Sequence, residues 1–318
     1  MKKIFYIIII SSFFNKTLYS QIAENDARAL IEAYISPLGN SLAAGLNNGW
    51  YNTARPHKLG GFDITLTGNF VLINNDVKNY NINDIVQGTM FSGEESPTIL
   101  GNNTGQEINI LGLDSTNTTL KLPGGINLPV LPVPILQAGV GLIKGTEIDV
   151  RYIPEINFGK SGKVGMIGFG IKHDLLQWLP IVDKIPIDLS FQAGYTKIRS
   201  NIQLIDPDQI LPGEGSLANL DITATTINLL LSKKLLMFTP YIGFGYNSNN
   251  TFFYVDGKYR IYDDYIPVDA LTEFNFENNT TFRTNLGIRF NIALLALQAN
   301  YTISDYPVFT LGAGISLR

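Results

Sequence analysis

The sequence predicts an all-β fold: an antiparallel transmembrane β-barrel of about 12–14 strands with a short amino-terminal helical plug. Three observations carry this expectation. From residue 62 onward, apolar and polar side chains alternate in repeated segments, each of about the ten residues that a tilted strand needs to cross a bilayer. Charged residues make up only 16% of the chain, which is rich in Tyr (15), Phe (18) and Gly (30); soluble domains carry roughly 25% charged residues. Outside the amino end there is no long apolar run, so a membrane-embedded chain of this kind must span with strands.

The amino end reads as an export signal. Lys2 and Lys3 precede the apolar run Ile4 to Ile10, and Leu18-Tyr19-Ser20 precede Gln21, which is a secretory layout with cleavage after Ser20. Leu18 is large for its place in that cleavage site, and the apolar core is too short to be a spanning helix. The expected organisation is a signal peptide at 1–20, a helical plug segment at 21–58 and an outer-membrane barrel at 59–318. Within the plug, Ala27, Leu30, Ile31, Tyr34 and Ile35 fall at helical spacing, with Ser36-Pro37 as the stop. The other faces are acidic rather than rich in Lys and Arg, which favours the lumen over a membrane surface.

The strands follow in order. Phe62, Ile64, Leu66 and Phe70 alternate with Asp63, Thr65, Thr67 and Asn69. Residues 74–127, rich in Asn, Gly, Thr and Pro, read as long outer excursions with a further hairpin. Pro123, Pro129, Pro132 and Pro134 crowd the approach to a strand at 135–143. Proline donates nothing to a ladder, so this wall segment is expected to be bulged, kinked or incompletely paired. Thr146, Ile148, Val150 and Tyr152 then alternate with Glu147, Asp149 and Arg151.

Two long strands at 163–172 and 187–197 are joined by a segment containing Gln177-Trp178, and strands at 221–233 and 238–247 come next. Three clear strands close the chain: one around Phe282 to Phe290, one from Ala293 to Tyr301, and one from Phe309 to Leu317. If the end of the chain is periplasmic, parity places the loops at 201–217 and 249–278 outside and the connection at 174–186 on the periplasmic side.

The polar rows of these strands cannot face lipid cheaply. Glu147, Asp149, Arg151, Asp188, Gln192, Arg283, Arg289 and Gln298 are therefore expected to line the interior. Trp178, Tyr195, Tyr241, Tyr246 and Tyr301 fit interfacial girdles. The prolines at 129, 132 and 134, set among Leu128, Val130, Leu131, Val133 and Ile135, suggest a greasy lateral opening, with a loop above the membrane as the alternative.

Gly49-Trp50-Tyr51-Asn52, Gly60-Gly61-Phe62-Asp63, Gly145-Thr146-Glu147 with Arg151-Tyr152-Ile153-Pro154, and Gly170-Ile171-Lys172-His173-Asp174 followed by Gln177-Trp178-Leu179-Pro180 resemble an uncharacterised family of outer-membrane β-barrel proteins. That family is in turn distantly similar to the FadL-type long-chain fatty-acid transporters. The resemblance implies a barrel with an amino-terminal hatch and a kinked early strand, of 14 strands as in those transporters. No ligand-binding residue of the transporters matches a position in this chain.

Chemistry is sparse. The net charge of −4 offers no basic field for nucleic acid, and the absence of Cys excludes disulfides and Cys-ligated metal. A hydrolase would need Ser, His and an acid to converge. His173-Asp174 near Ser190 is one such set, but neighbours on a strand point to opposite faces. Asp206, Asp208, Asp263 and Asp264 lack the spacing of a Ca²⁺ loop and read as solvated loop acids.

No enzyme activity, cofactor or metal is expected. The expected partners are outer-membrane lipid and a small hydrophobic ligand, and the expected form is a monomer in the cell outer membrane. The expected function is transport of small hydrophobic, fatty-acid-like molecules. The alternative is a structural or adhesion barrel acting through its outer loops.

Overall fold

The computed structural model describes residues 18–86, 91–110, 118–157, 162–179, 186–203, 217–256, 258–261, 264–267, 273–276 and 280–317. A long helix, Leu18–Leu46, comes first, followed by β1 (Phe62–Leu72). Five short strands follow: β2 (Asn79–Asn81), β3 (Phe91–Ser92), β4 (Glu95–Pro97), β5 (Glu107–Ile110) and β6 (Thr118–Lys121). The next six are β7 (Val130–Gly141), β8 (Thr146–Asn157), β9 (Lys163–Asp174), β10 (Asp188–Gln203), β11 (Leu217–Ser232) and β12 (Phe238–Asp256). Short β13 (Lys258–Ile261), β14 (Asp264–Pro267) and β15 (Glu273–Phe276) precede β16 (Thr281–Ile292), β17 (Leu295–Ile303) and β18 (Val308–Leu317).

Ten antiparallel strands close a barrel in the order β1-β7-β8-β9-β10-β11-β12-β16-β17-β18, with β18 returning to β1. The fold class is the expected one, and the strand count is ten, below the expected 12–14 and the 14 of the FadL-type resemblance. Residues 74–127, where a further hairpin of the wall is expected, instead hold short strands among the described residues. There β2 pairs with β4, and β3, β5 and β6 pair with one another. At two to four residues each, they are too short to cross a bilayer and form lobes at the loop end of the barrel.

The wall follows the period of two. On β16, Phe282, Leu286, Ile288 and Ile292 face out and are exposed, while Arg283, Asn285 and Arg289 face in and are buried. Such an outward row covers about 25 Å of membrane normal at the usual strand tilt. Aromatic pairs lie near its two ends, Tyr246 with Phe282 and Phe238 with Phe290. Tyr195, Tyr246, Tyr301 and Trp178 are exposed on the outside, but Tyr241 is not part of a girdle. It shares the inward row of Gly243 and Gly245, is 5% exposed and packs edge-on against Tyr51.

The helix runs inward from the loop end. Leu30 packs with Ile82, Phe91, Ile108 and Leu122 of the lobes, and Ile31 and Ile35 pack with Phe274 and Phe276. Ala43, Ala44 and Leu46 lie inside the barrel against Val71, Val133, Ile135, Met166 and Ile222. The helix does not stop at Ser36-Pro37 as expected, since Pro37 sits inside it. Proline removes one intrahelical bond, and the surrounding wall supports the last turns. Residues 47–61 then descend the lumen to β1, whose first residue pairs with Leu317. Residues 1–17 of the expected signal peptide lie outside the described residues; Leu18–Ser20 are helical.

Candidate functional site: a sealed lumen and a seam in the wall

The last turn of a helix leaves four carbonyls without intrahelical donors; here the residues just after the helix serve two of them and the barrel wall serves the other two. Ala43 O accepts Asn47 N at 2.9 Å. Ala44 O accepts Asn48 Nδ2 at 2.8 Å, and Gly45 O accepts Asn69 Nδ2 of β1 at 2.8 Å. Leu46 O accepts Arg151 Nη1 of β8 at 2.6 Å. The same guanidinium donates to Asn48 O at 2.8 Å and to Gln137 Oε1 at 2.9 Å. Across the lumen, Arg283 donates to Asn47 O at 2.8 Å and Asn48 Oδ1 at 2.7 Å, and Arg289 donates to Asn52 Oδ1. Two arginines thus face the negative end of the helix dipole.

Trp50 follows the helix and is 1% exposed. The Arg151 guanidinium lies 3.5 Å from the centroid of its ring, a cation–π contact. The ring itself rests on Gly170 of β9 and Gly194 of β10. A β-carbon at those positions would come within 2.7 and 2.4 Å of the ring. The small inward row on these strands is therefore the seat of Trp50.

Nearer the end of the barrel that carries β1's start, Glu147 joins the descending segment to the wall. His57 Nδ1 lies 2.7 Å from one Glu147 carboxylate oxygen and Lys172 Nζ lies 2.7 Å from the other. His57 Nε2 is 3.2 Å from Ser316 Oγ. Asp149 Oδ1 accepts Gln137 Nε2 at 3.1 Å. Asp188 pairs with Arg55 at 2.8 Å at the mouth. Gln192 accepts Asn228 Nδ2 at 2.6 Å, and Gln298 is buried among the inward row. The structure thus brings Glu147, Asp149, Arg151, Arg283 and Arg289 against one plug segment, with Gln192, Gln298 and Asp188 around it.

Trp50, Asn48, His57, Asn69, Lys172 and Ser316 belong to the same network and were not singled out by sequence reasoning. Lys172 and Asn69 could have been found from their polar rows. His57 carried no such signal. Ser190 and His173 do not converge, because His173 lies opposite Phe191 and bonds with Thr146 and Trp178. Asp206, Asp208 and Asp263 lie outside the described residues, among which no group of three His, Cys, Asp or Glu is placed to hold a metal ion.

Among the described residues, the wall is incompletely paired between β7 and β8. β7 pairs with β1 over its whole length, from Leu72↔Val130 to Phe62↔Val140, but with β8 only from Gln137↔Arg151 to Gly141↔Glu147. The cause is a matter of parity. Gly141 exchanges bonds with Gly60 and Gly61 on the β1 side, whereas Leu142 donates to Thr146 on the β8 side. Odd residues of β7 therefore face β1, and even ones face β8.

Pro132 and Pro134 thus remove two of the four donors that β7 would aim at β8 above Gln137. Continuing the register would set Pro134 opposite Pro154, which has no donor either. β8 bulges against β9 between Ile153 and Ile156, and above Gln137 a seam runs between β7 and β8. Pro129 is not part of it, since its carbonyl accepts Ile73 N on the β1 side. Behind the seam lie Val133, Ile135, Ile153, Met166 and Leu46 of the apolar cluster.

A family model matches residues 1–317. The chain belongs to DUF6588, a family of unknown function. No curated protein matches it. Among solved structures, the translocator domain of autotransporter NalP from Neisseria meningitidis is similar at 10% identity and a TM-score of 0.31, covering 90% of this chain and 96% of that one. A loop-deletion mutant of the outer-membrane protein OmpT of Vibrio cholerae is similar at 12% identity and a TM-score of 0.25, covering 81% of this chain and 76% of that one. The toluene transporter TodX of P. putida is similar at 9% identity and a TM-score of 0.23, covering 80% and 89%. Likenesses this distant carry no argument about function.

Proposed function

We propose that this protein is an outer-membrane transporter of small apolar molecules that takes its solute sideways, through the β7–β8 seam. The supporting observation is the seam itself, a stretch of wall where β7 and β8 stop pairing in front of an apolar rather than polar lumen. Parting it breaks no ladder between these two strands, and its lining suits a hydrophobic cargo over sugars or ions. The arginine-held plug argues against an open aqueous pore, because a hydrated solute would first have to displace Arg151, Arg283 and Arg289 from their carbonyl partners. The FadL-type resemblance agrees with a hatch and an apolar cargo.

The test restores the two donors that β7 lacks with Pro132→Val and Pro134→Thr. The double variant is expected to fold, shown by heat-dependent gel mobility, and to slow uptake of a fluorescent fatty-acid-like probe. Unchanged uptake in the folded variant would remove the seam from the route.

One arrangement favours a different class, since Ser316, His57 and Glu147 are linked in the order of a hydrolase triad. Against it, Ser316 is 5% exposed and Glu147 is already ion-paired with Lys172. We read the set as a latch between plug and wall. A fluorophosphonate probe is expected to leave Ser316 unlabelled; labelling that requires His57 would establish the hydrolase instead.

A further inference from the structure

On the outside of the wall, at the loop end of β8–β12, lies a groove of about 600 Å³. Its position relative to the apolar belt follows from the outward rows. On β9, Phe169 and Ile167 give way to Gly165 and Lys163. On β10, Phe191 and Tyr195 give way to Lys197 and Arg199. On β11, Leu229 and Ile227 lead through Thr225 and Thr223 to Asp221. Lys197 stands directly opposite Ile167 and one outward position beyond Tyr195 on its own strand, so the basic residues begin level with the last apolar side chain of β9. Gly165, without a side chain, leaves the floor low between Tyr152 and Glu155 on one flank and Arg199 on the other.

The charges in the groove do not cancel. Lys163 is paired with Glu155 at 3.0 Å. Lys197 Nζ and Arg199 Nε share a single carboxylate oxygen, Asp221 Oδ2, each at 3.8 Å. That distance is the outer limit of an ion pair, and the Arg199 side chain is 73% exposed. Among the described residues, two cations against one carboxylate leave a net positive charge. Asn201 and Asn219, joined at 2.9 Å, add amide groups at the rim, and Tyr152 and Tyr254 flank the groove.

We propose that this groove binds the phosphorylated headgroup of an outer-leaflet lipid. The phosphate sits between Lys197 and Arg199, and the acyl chains lie down the wall over Ile167, Phe169 and Tyr195. Guanidinium is suited to phosphate because its planar N–H donors match the geometry of phosphate oxygens. A phosphate would also relieve the shared, stretched pairing on Asp221. A lipid is favoured over a free anion because the cations continue an apolar, lipid-facing row rather than lining an aqueous pocket. The inference rests on the outer-membrane part of the reading above but not on transport.

The test is done on purified barrel in detergent, so it depends on neither cellular location nor uptake. Wild type and a Lys197→Gln/Arg199→Gln variant are incubated with a phosphorylated, acylated disaccharide lipid, with its dephosphorylated form, or with the phosphorylated lipid plus inorganic phosphate. Retained lipid is counted by native mass spectrometry, with heat-dependent gel mobility as the folding control. Wild type is expected to retain the phosphorylated lipid several-fold over the dephosphorylated one. The double variant is expected to lose that preference while remaining folded, and Asp221→Asn to keep it or raise it. Equal retention of the two lipids, or an undiminished preference in the double variant, would overturn the site. Displacement by millimolar inorganic phosphate alone would overturn the lipid as its occupant.

Discussion

Arg151 shows most plainly how one side chain converts an empty cylinder into a closed one. It is fully buried, lies against the Trp50 ring and donates to two plug carbonyls. Replacing it with Met keeps much of the volume and leaves Leu46 O and Asn48 O without their arginine donor, at about 1–3 kcal/mol for each buried acceptor. Arg151→Met is therefore expected to fold as a barrel with a loosened plug. Planar-bilayer recordings should show transient conductance in the variant and a closed wild type. A silent variant would mean that Arg283 and the asparagines hold the segment alone.

At the scale of elements, the helix and its glycine seat show what was legible and what was not. Period-two alternation exposed the wall strands and the inward placement of polar side chains, because a wall with lipid on one face imposes two different solvents on alternate residues. The helix was readable only to Ile35. Beyond that point it lies within the barrel and is largely buried on every side, so no apolar stripe remains to betray it, and Pro37 reads as a stop. The lobe strands were illegible for a related reason, since segments of two to four residues leave no period to count. The network around His57 depends on a descending segment without regular structure, which no spacing rule encodes.

The glycines of β9 and β10 were visible as a small row but not as the seat of an indole. In a Trp178→Phe background only Trp50 remains of the two tryptophans. Adding Gly194→Val should shift its fluorescence to the red and cost about 1–3 kcal/mol by overpacking. An unchanged spectrum would show that the ring does not rest there.

For the whole molecule, the direction of the helix has a consequence for topology. It enters from the lobes at the loop end, and the chain leaves at the end where β1 begins. If the loops lie outside the cell and the strand termini in the periplasm, as is usual for outer-membrane barrels, the start of the helix faces outward. An epitope inserted after Gln21 is expected to bind antibody on intact cells; detection only after permeabilisation would reverse the orientation.

In the proposed route apolar solute passes through the seam while the plug stays in place, and a covalently fixed plug separates that route from one through the lumen. A β-carbon at Gly39 would lie 3.0 Å from that of Thr251, about half an ångström inside the usual disulfide range, and the chain has no other Cys. Uptake of a fluorescent fatty-acid-like probe is measured in cells carrying the Gly39→Cys/Thr251→Cys barrel, oxidised and reduced, beside the Pro132→Val/Pro134→Thr variant. The expected result is equal uptake in the two redox states and slowed uptake when the seam is repaired. Uptake abolished by oxidation and untouched by seam repair would place the route through the lumen and contradict the account.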